Sequence, residues 1–180
     1  AQVVVSVMAG MPTSALEVHL GAGQPVVRVM PQTLVQLGAG ATAVCVGSAA
    51  DAAALAAVRA LFDRVGTTVE VSEAQMDAVT GLSGSGPAYI YTVIEALADG
   101  GVRAGLPREV ALQLAAQTAA GAGRMVLETA THPAALRDQV TSPAGTTIAG
   151  LTQLEQGGVR HAFIAAVDAA TRRSRELGKG

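Results

Sequence analysis

Two short polar turns carry the residues best suited to binding chemistry. They cover residues 83–89 (SGSGPAY) and 141–147 (TSPAGTT), and each precedes an apolar stretch with helical spacing. The first turn of a helix has unpaired N–H groups and a partial positive charge, and Gly and Pro shape its entry without adding bulk. Such turns can bind a carboxylate or a phosphate. The alternative is that Ser85 and Thr147 are ordinary N-caps without a ligand.

The composition describes a protein with a core of small side chains. Hydrophobic residues make up 50% of the 180 residues, but aromatic residues make up only 2% and Trp is absent. A chain of this size can bury a sizeable core, which must consist of Ala, Val, Leu and Ile. Small side chains allow helices to pack closely, and a core without large rings favours burial against a second chain. We therefore expect an oligomer.

Charge and metal-ligand spacing exclude several kinds of partner. The net charge of −2 and the 14% charged residues provide no broad basic surface, so we expect neither nucleic acid nor an anionic membrane as a partner. The three histidines lack short metal spacing, and Cys45 is the single cysteine, so we expect no metal site and no disulfide. Cys45 lies in an apolar run typical of a buried strand. No leader or membrane span is recognisable, which predicts a cytoplasmic protein.

The pattern of the chain changes after Ser72. Before it, β-branched runs predict strands at 2–8, 26–30, 42–46 and 68–71, with helices over 13–20 and 55–65. This alternation is typical of an α/β layer with partly parallel strands. After it, every long segment has helical periodicity. We predict a domain boundary there, giving an α/β domain over 1–72 and an all-helical domain over 73–180.

The helix that begins at Pro107 has an apolar stripe. The stripe includes Val110, Leu114, Gly121 and Met125. Its small residues would allow a neighbouring helix to approach closely. Further helices are predicted over 133–140 and 147–156, and from Val159 onward.

One segment matches a dinucleotide-binding pattern without its context. Residues 38–43 (GAGATA) fit the Ala-ending form of Gly-x-Gly-x-x-Gly. An apolar β-branched run follows, where the pattern requires a helix. We therefore do not assign a phosphate-binding role to this segment.

Several longer segments resemble one enzyme family. Residues 77–82 (DAVTGL), 98–107 (ADGGVRAGLP), 132–143 (HPAALRDQVTSP) and 145–151 (GTTIAGL) resemble the C-terminal half of pyrroline-5-carboxylate reductases, in a match that is nearly continuous from about Ala74. The resemblance implies a partial Rossmann-like dinucleotide-binding domain, beginning partway through that domain, followed by an all-helical dimerisation and substrate-binding domain. It also implies that helical halves interlock in a homodimer and that dimers can form a ring.

The implied reaction is the reduction of the cyclic imine 1-pyrroline-5-carboxylate to L-proline, with NADPH or NADH as cofactor, in proline biosynthesis. The resemblance assigns Val140 to apolar contact with the substrate, and Ser142, Gly145 and Thr146 to its carboxylate through a hydroxyl and backbone amides. Thr147 is the implied catalytic residue, since its hydroxyl would position the imine end. The proton there would come from this hydroxyl, from water or with an already protonated imine.

The resemblance also implies a cofactor site. Its residues are Ala9, Gly10, Met30, Pro31, Ser85, Gly86 and Pro87. Residues 29–33 (VMPQT) are similar to the family's Met-Pro-Asn-Thr-Pro loop, although Gln32 stands where Asn is usual. Ala144 stands in place of the first Gly of the family's Ser-Pro-Gly-Gly turn. Its methyl group would be tolerated there if the φ of Ala144 is negative.

Two other functions are consistent with the same residues. One is a non-catalytic helical module for oligomerisation or anion binding that lacks the phosphate loop. The other is a related reductase for a different imine or keto acid, because any small α-imino or α-keto carboxylate could satisfy the same donors.

Overall fold

The structure is a computed structural model in which residues 2–178 are described. The strands are β1 (Val4–Ser6), β2 (Val26–Met30), β3 (Gly40–Val46) and β4 (Gly66–Glu70). The helices are α1 (Thr13–Glu17), α2 (Ala52–Phe62), α3 (Met76–Val79), α4 (Gly86–Arg103), α5 (Arg108–Thr129), α6 (Pro133–Gln139), α7 (Thr146–Gln156) and α8 (Val159–Leu177). Short 3-10 turns cover Thr33–Leu37 and Glu73–Gln75, and a π-helical turn covers Thr80–Gly84. The predicted α/β part followed by a helical part is confirmed.

The four strands form one mixed sheet in the order β1-β2-β3-β4. The β1–β2 and β3–β4 pairs are parallel, and the β2–β3 pair is antiparallel. The predicted partly parallel layer is therefore correct. Because β1 and β2 run in the same direction, the segments that follow Ser6 and Met30 leave the sheet at the same edge.

Alternating side chains cover both faces of the sheet. Val29 and Val44 pack with Val58 of α2 on one face. On the other face, Cys45 and other buried residues of β2 and β3 pack with Met76 of α3. Burial and, to a smaller extent, the nearby Glu73 carboxylate together raise the pKa of the Cys45 thiol to about 12. The thiol therefore stays protonated at neutral pH and acts as a small core residue.

A charged side chain is buried in the second face. Arg28 is 2% exposed and forms an ion pair with Glu73 Oε1. The Thr13 N–H donates to Glu73 Oε2 at 3.0 Å. Burial raises the pKa of Glu73, but the hydrogen bonds from Thr13 and Arg28 and the positive charge of Arg28 lower it by more, so this pKa lies below its ordinary value.

The described chain divides into two compact units. One contains the residues up to Pro87 together with those from Ile164 onward, and the other is Ala88–Phe163. The unit division thus differs from the change of pattern at Ser72, and a domain boundary at that residue stays a prediction. In the second unit, Ala98 of α4 packs with Ala111 and Ala115 of α5. A Cβ on Gly101 would lie 3.1 Å from the Ala111 Cβ, which shows how closely these helices approach.

The apolar stripe predicted for α5 is largely uncovered. Val110, Leu114 and Met125 are 42%, 54% and 49% exposed. The helix instead directs its small residues, Ala111 and Ala115, toward α4. Alanine allows the closer approach of two backbones, so the larger side chains are left on the surface. A surface of this kind is typical of a contact with another chain.

We predict that the Arg28–Glu73 pair makes stability depend on pH. Because the pKa of Glu73 is lower in the folded chain than its ordinary 4.5, its contribution is complete above about pH 4.5 and is lost as the pH falls through the folded value. Glu73→Gln should lower the free energy of unfolding by about 2 kcal/mol at pH 7, because it leaves the buried Arg28 guanidinium without a neutralising charge. The loss is smaller than for a fully buried pair because the Glu73 carboxylate is partly solvated.

Urea unfolding of both proteins between pH 7 and pH 3 tests this prediction. The difference in unfolding free energy between wild type and variant should narrow below about pH 4.5. A difference that stays constant across this range would contradict the assignment to the ionised carboxylate.

Candidate functional site

The second polar turn leads into α7 without a side-chain cap. Gly145 is the N-cap, with φ −80° and ψ 176°, and no side chain accepts a hydrogen bond from the first helical turn. Thr147 is the second helical residue, so the alternative that it is an ordinary N-cap is wrong. The N–H groups of residues 146–148 have no hydrogen-bond partner within the described chain. They are three donors directed out of the helix N-terminus.

The turn before α7 has little conformational freedom. The Gly145 N–H donates to the Ser142 carbonyl at 3.1 Å, so this amide is engaged within the turn. The predicted role of the Gly145 amide in carboxylate binding therefore conflicts with its position here, while the amides of Thr146 and Thr147 are available. A Cβ on Gly145 would overlap the Ser142 Oγ. Glycine at this position leaves room for the Ser142 hydroxyl where the structure places it.

Ala144 adopts a left-handed conformation, with φ +54°. The negative φ under which a methyl group would be tolerated at this residue is therefore not what the structure has. An L-residue in this region costs about 1 kcal/mol because its Cβ approaches the following carbonyl oxygen. Ala130, at the C-terminal end of α5, also has a positive φ, of +50°. Two left-handed alanines therefore flank α6 and the turn that follows it.

Val140 lies at the end of α6 and is 67% exposed. With Met125, Val126 and Leu136 it lines an apolar groove of about 350 Å³. The Thr141 Oγ1 donates to the Arg137 carbonyl at 2.7 Å, which holds the chain as it leaves the helix. An exposed valine here can provide the apolar contact predicted for it.

The first polar turn is not an open turn. Thr80–Gly84 is π-helical, and the Ser85 N–H donates to the Thr80 carbonyl at 2.9 Å. Ser85 has right-handed helical dihedrals and is not an N-cap. Helical structure thus continues from Met76 through this segment into α4, and Gly86 and Pro87 form its first residues. The prediction of free N–H groups preceding a helix at this segment is wrong for Ser85.

A glycine explains the approach of α8 to this segment. A Cβ on Gly81 would overlap the Thr171 Oγ1 and lie 2.8 Å from the Val167 carbonyl oxygen. The widened π-helical turn and the missing side chain together make room for α8.

The structure places one predicted cofactor residue, Met30, near the residue that precedes Ser85. The Met30 Sδ lies 3.6 Å from the position of a Cβ on Gly84, which directly precedes Ser85. Pro31 continues from Met30 at the edge where β1 also ends. Gln32 Oε1 accepts a hydrogen bond from the Leu34 N–H at 2.7 Å and caps the following 3-10 turn.

The loop after β1 packs on the end of α8. Gly10 is buried with φ +73°, and a Cβ there would lie 2.8 Å from the Ser174 carbonyl oxygen and 2.9 Å from the Gly178 nitrogen. Both the dihedral and the close approach require glycine. Ala9 is exposed beside it. The predicted cofactor residues all lie in the first compact unit, and the predicted substrate residues all lie in the second.

The structure supports the exclusion of residues 38–43 as a phosphate loop. Gly38 ends a 3-10 turn in the left-handed region, and Gly40 begins β3. A strand follows these glycines, whereas an anion site of this type needs a helix N-terminus.

Two carboxylates were missed by the sequence reasoning. Glu73 binds Arg28 and the Thr13 N–H, and Asp77 Oδ1 accepts a hydrogen bond from the Ser174 Oγ at 2.7 Å. Their spacing of four residues indicated only a common helix face. Their partners are distant in the sequence, so no local signal identified them.

Some kinds of site are absent from the described residues. Among residues 2–178, no group of three or more His, Cys, Asp or Glu side chains is arranged to hold a metal ion. No helix in the same range is long and apolar enough to cross a membrane.

Comparison with known proteins identifies the family. The family model described as "Pyrroline-5-carboxylate reductase dimerisation" matches residues 73–177. The chain belongs to the pyrroline-5-carboxylate reductase family. The pyrroline-5-carboxylate reductase of Methanosarcina acetivorans is 52% identical over 99% of this chain, and that of Arabidopsis thaliana is 51% identical over 98%. The chain spans 66% and 63% of the lengths of these relatives.

Solved structures of the pyrroline-5-carboxylate reductase family share the fold. The Coxiella burnetii protein aligns with a TM-score of 0.94 and 40% identity, over 99% of this chain and 66% of its own. The Plasmodium falciparum protein, solved with NADP bound, aligns with a TM-score of 0.91 and 34% identity, over 98% of this chain and 71% of its own. The predicted family is confirmed.

We predict that Ala144→Gly stabilises the protein. Glycine adopts a positive φ without the steric cost of a Cβ, so the free energy of unfolding should rise by about 1 kcal/mol. Ala130→Gly should also raise the free energy of unfolding, because the φ of Ala130 is positive too.

Ala149→Gly provides the matched control, since Ala149 lies inside α7. Glycine in a helix interior should lower the unfolding free energy by about 1 kcal/mol. Urea unfolding shows whether the unfolding free energy of each variant is higher or lower than that of the wild type. A loss of stability in Ala144→Gly would refute the strained conformation.

Proposed function

We propose that this protein reduces 1-pyrroline-5-carboxylate to L-proline with NADPH or NADH. The observation that carries the proposal is the N-terminus of α7, where residues 146–148 present unpaired N–H groups beside the hydroxyls of Ser142 and Thr147. Membership of the reductase family and the NADP bound to the Plasmodium falciparum relative support the same reaction.

The substrate carboxylate fits the start of α7. Unpaired amides and the helix dipole favour a negative group there, and charge-assisted hydrogen bonds are stronger than neutral ones. The Thr146 and Thr147 amides would donate to the carboxylate oxygens, and the Ser142 hydroxyl would add a third donor. Gly145 allows this arrangement because it leaves room for the serine side chain.

Thr147 would orient the imine. Its side chain lies one residue inside the helix, and it is partly buried. A hydrogen bond between the hydroxyl and the ring nitrogen would hold the C=N bond in one direction, with the hydroxyl donating to a neutral imine and accepting from a protonated one. An unactivated hydroxyl is a weak acid, so the proton on nitrogen would come from water or arrive with an already protonated imine. Val140 would contact the ring carbons.

The cofactor would lie at the sheet edge where β1 and β2 end. Ligands of open α/β sheets bind outside the carboxyl ends of parallel strands, and β1 and β2 are the parallel pair that carries these loops. Ala9, Gly10 and Pro31 belong to the two loops and Met30 ends β2, and the segment from Ser85 to Pro87 follows Gly84, where an added Cβ would lie 3.6 Å from the Met30 Sδ. When bound, the nicotinamide supplies the hydride to the imine carbon. The residues at this edge would hold it and exclude water.

A second copy of the chain would complete the site. The helical unit exposes Val110, Leu114 and Met125, and its own core consists mainly of alanine. Pairing of these surfaces between two copies would bury them, as the match to a dimerisation domain supports. A ring of such dimers is the larger assembly that we propose.

A second candidate function is a non-catalytic anion-binding module. It is favoured by one observation: the unpaired N–H groups at the start of α7 can bind an anion without any dinucleotide. Such a module would bind the amino acid and would not bind the dinucleotide.

The α7 N-terminus can be tested by calorimetric titration with L-proline and with NADPH. Ser142→Ala would remove a hydrogen bond to the carboxylate and Thr147→Ala one to the ring nitrogen, so each variant should bind L-proline about tenfold or more weakly. Thr152→Ala is the matched control, because its hydroxyl donates to the Ile148 carbonyl within the same helix and should not affect binding.

Each result of the titration has a separate meaning. Binding of both ligands, with NADPH consumption on adding the imine, supports the reductase. Binding of L-proline alone, lost in the two variants, favours the non-catalytic module. L-proline binding that the variants leave unchanged would refute the assigned site.

A further inference from the structure

We propose that Glu73 is a positioning residue for the nicotinamide cofactor, acting through the loop that follows β1. The inference depends on the proposed function, since it concerns the loops assigned there to the cofactor. Glu73 itself would not touch the cofactor. It would act through Arg28 and Thr13, which lie at the bases of the two loops.

One carboxylate joins the two loops. Glu73 Oε1 pairs with Arg28, which lies in β2 two residues before Met30. Glu73 Oε2 accepts a hydrogen bond from the Thr13 N–H at 3.0 Å, and Thr13 is the first residue after the loop that carries Ala9 and Gly10. The distance between the two loop bases is therefore set by a single rigid group.

Glu73 supplies a cap that the local sequence cannot provide. The N-cap of α1 is Pro12, and no side chain of the N-cap position accepts a hydrogen bond there. A proline has no side-chain acceptor, so the first N–H of α1 would be left without a partner. The carboxylate that satisfies it comes from 60 residues further along the chain. The start of α1, and hence the end of the loop, depends on this contact.

The energetics of the Arg28–Glu73 ion pair favour a role in positioning the loops over a role in stabilising the fold. Burying a guanidinium is costly, and an apolar side chain of similar size often stabilises a fold equally well. The Arg28 Nε and Nη2 are buried without a hydrogen-bond partner in the described chain, so the pair is not optimised for stability. The hydrogen bonds that Glu73 accepts from Arg28 and from the Thr13 N–H instead fix the geometry of three segments. These are β2, the start of α1 and the 3-10 turn that contains Glu73.

A second carboxylate holds the other side of the same loop. Asp77 accepts a hydrogen bond from Ser174, near the end of α8, and the Ser174 carbonyl oxygen lies directly against Gly10. Gly10 is thus held against α8, and Thr13 is held by Glu73. The loop between them has little freedom to move, which is the condition for presenting a cofactor in one orientation.

The test compares Glu73→Gln with two control variants. Glu70→Gln removes a carboxylate from the end of β4, where it lies 4.0 Å from the half-buried Arg59. Val58→Ala destabilises the opposite face of the sheet without touching the loop. Two quantities are measured: amide hydrogen exchange by mass spectrometry, and steady-state kinetics with NADPH and 1-pyrroline-5-carboxylate.

The expected result is specific to one loop and one ligand. In Glu73→Gln, exchange over residues 8–17 should rise about tenfold relative to exchange in β2 and β3, and the KM for NADPH should rise about fivefold or more. The kcat and the KM for the imine should stay within about twofold. Both controls should leave the KM for NADPH unchanged. General destabilisation would lower the active fraction, and so the apparent kcat, without this change in KM.

Unchanged exchange over residues 8–17 in Glu73→Gln would overturn the inference, as would faster exchange with an unaltered KM for NADPH. A wild-type protein that consumes no NADPH would contradict the proposed function. The exchange data would then decide on their own whether Glu73 holds the loop.

Discussion

The burial of one guanidinium group constrains the whole α/β part. Arg28 is the one charged side chain among the buried residues of the described sheet, and its charge cannot be accommodated there without a carboxylate. Glu73 provides it from the segment where the helical part begins. The position of that segment is therefore set by an electrostatic requirement of β2. Because the same carboxylate caps α1, the strand, the first helix and the start of the helical part are fixed together.

The helical unit follows a different constraint, which is the size of its buried side chains. Alanines at the α4–α5 contact allow the two backbones to approach closely, but they bury little apolar area. Larger residues of the same helices remain on the surface. Such a unit gains little hydrophobic stabilisation by itself, so one composition accounts both for the close packing within the chain and for the proposed association with a second copy.

The sequence predicted the strands better than the turns. The apolar run 26–30 coincides with β2, because β-branched residues bounded by Pro31 leave few alternatives. The segment 83–89 was wrongly predicted as a turn, because Gly and Ser are typical of turns. In the structure Gly81, just before this segment, provides space for α8, which is distant in the sequence. Helix α7 was predicted within one residue, but the left-handed Ala144 was not foreseen. Glu73 was missed because its partners are 45 and 60 residues away.

The start of α7 combines three features that are unfavourable for stability alone. Its N-cap is a glycine without a capping side chain, its first amides lack protein partners, and Ala144 is held in a left-handed conformation before it. Each could be removed by a local change, since a Ser or Asp N-cap would satisfy an amide and a glycine would relieve the strain. A capping side chain, however, would occupy the space where a ligand carboxylate can accept the same hydrogen bonds. The missing cap therefore fits a helix N-terminus that binds its ligand in place of its own side chain.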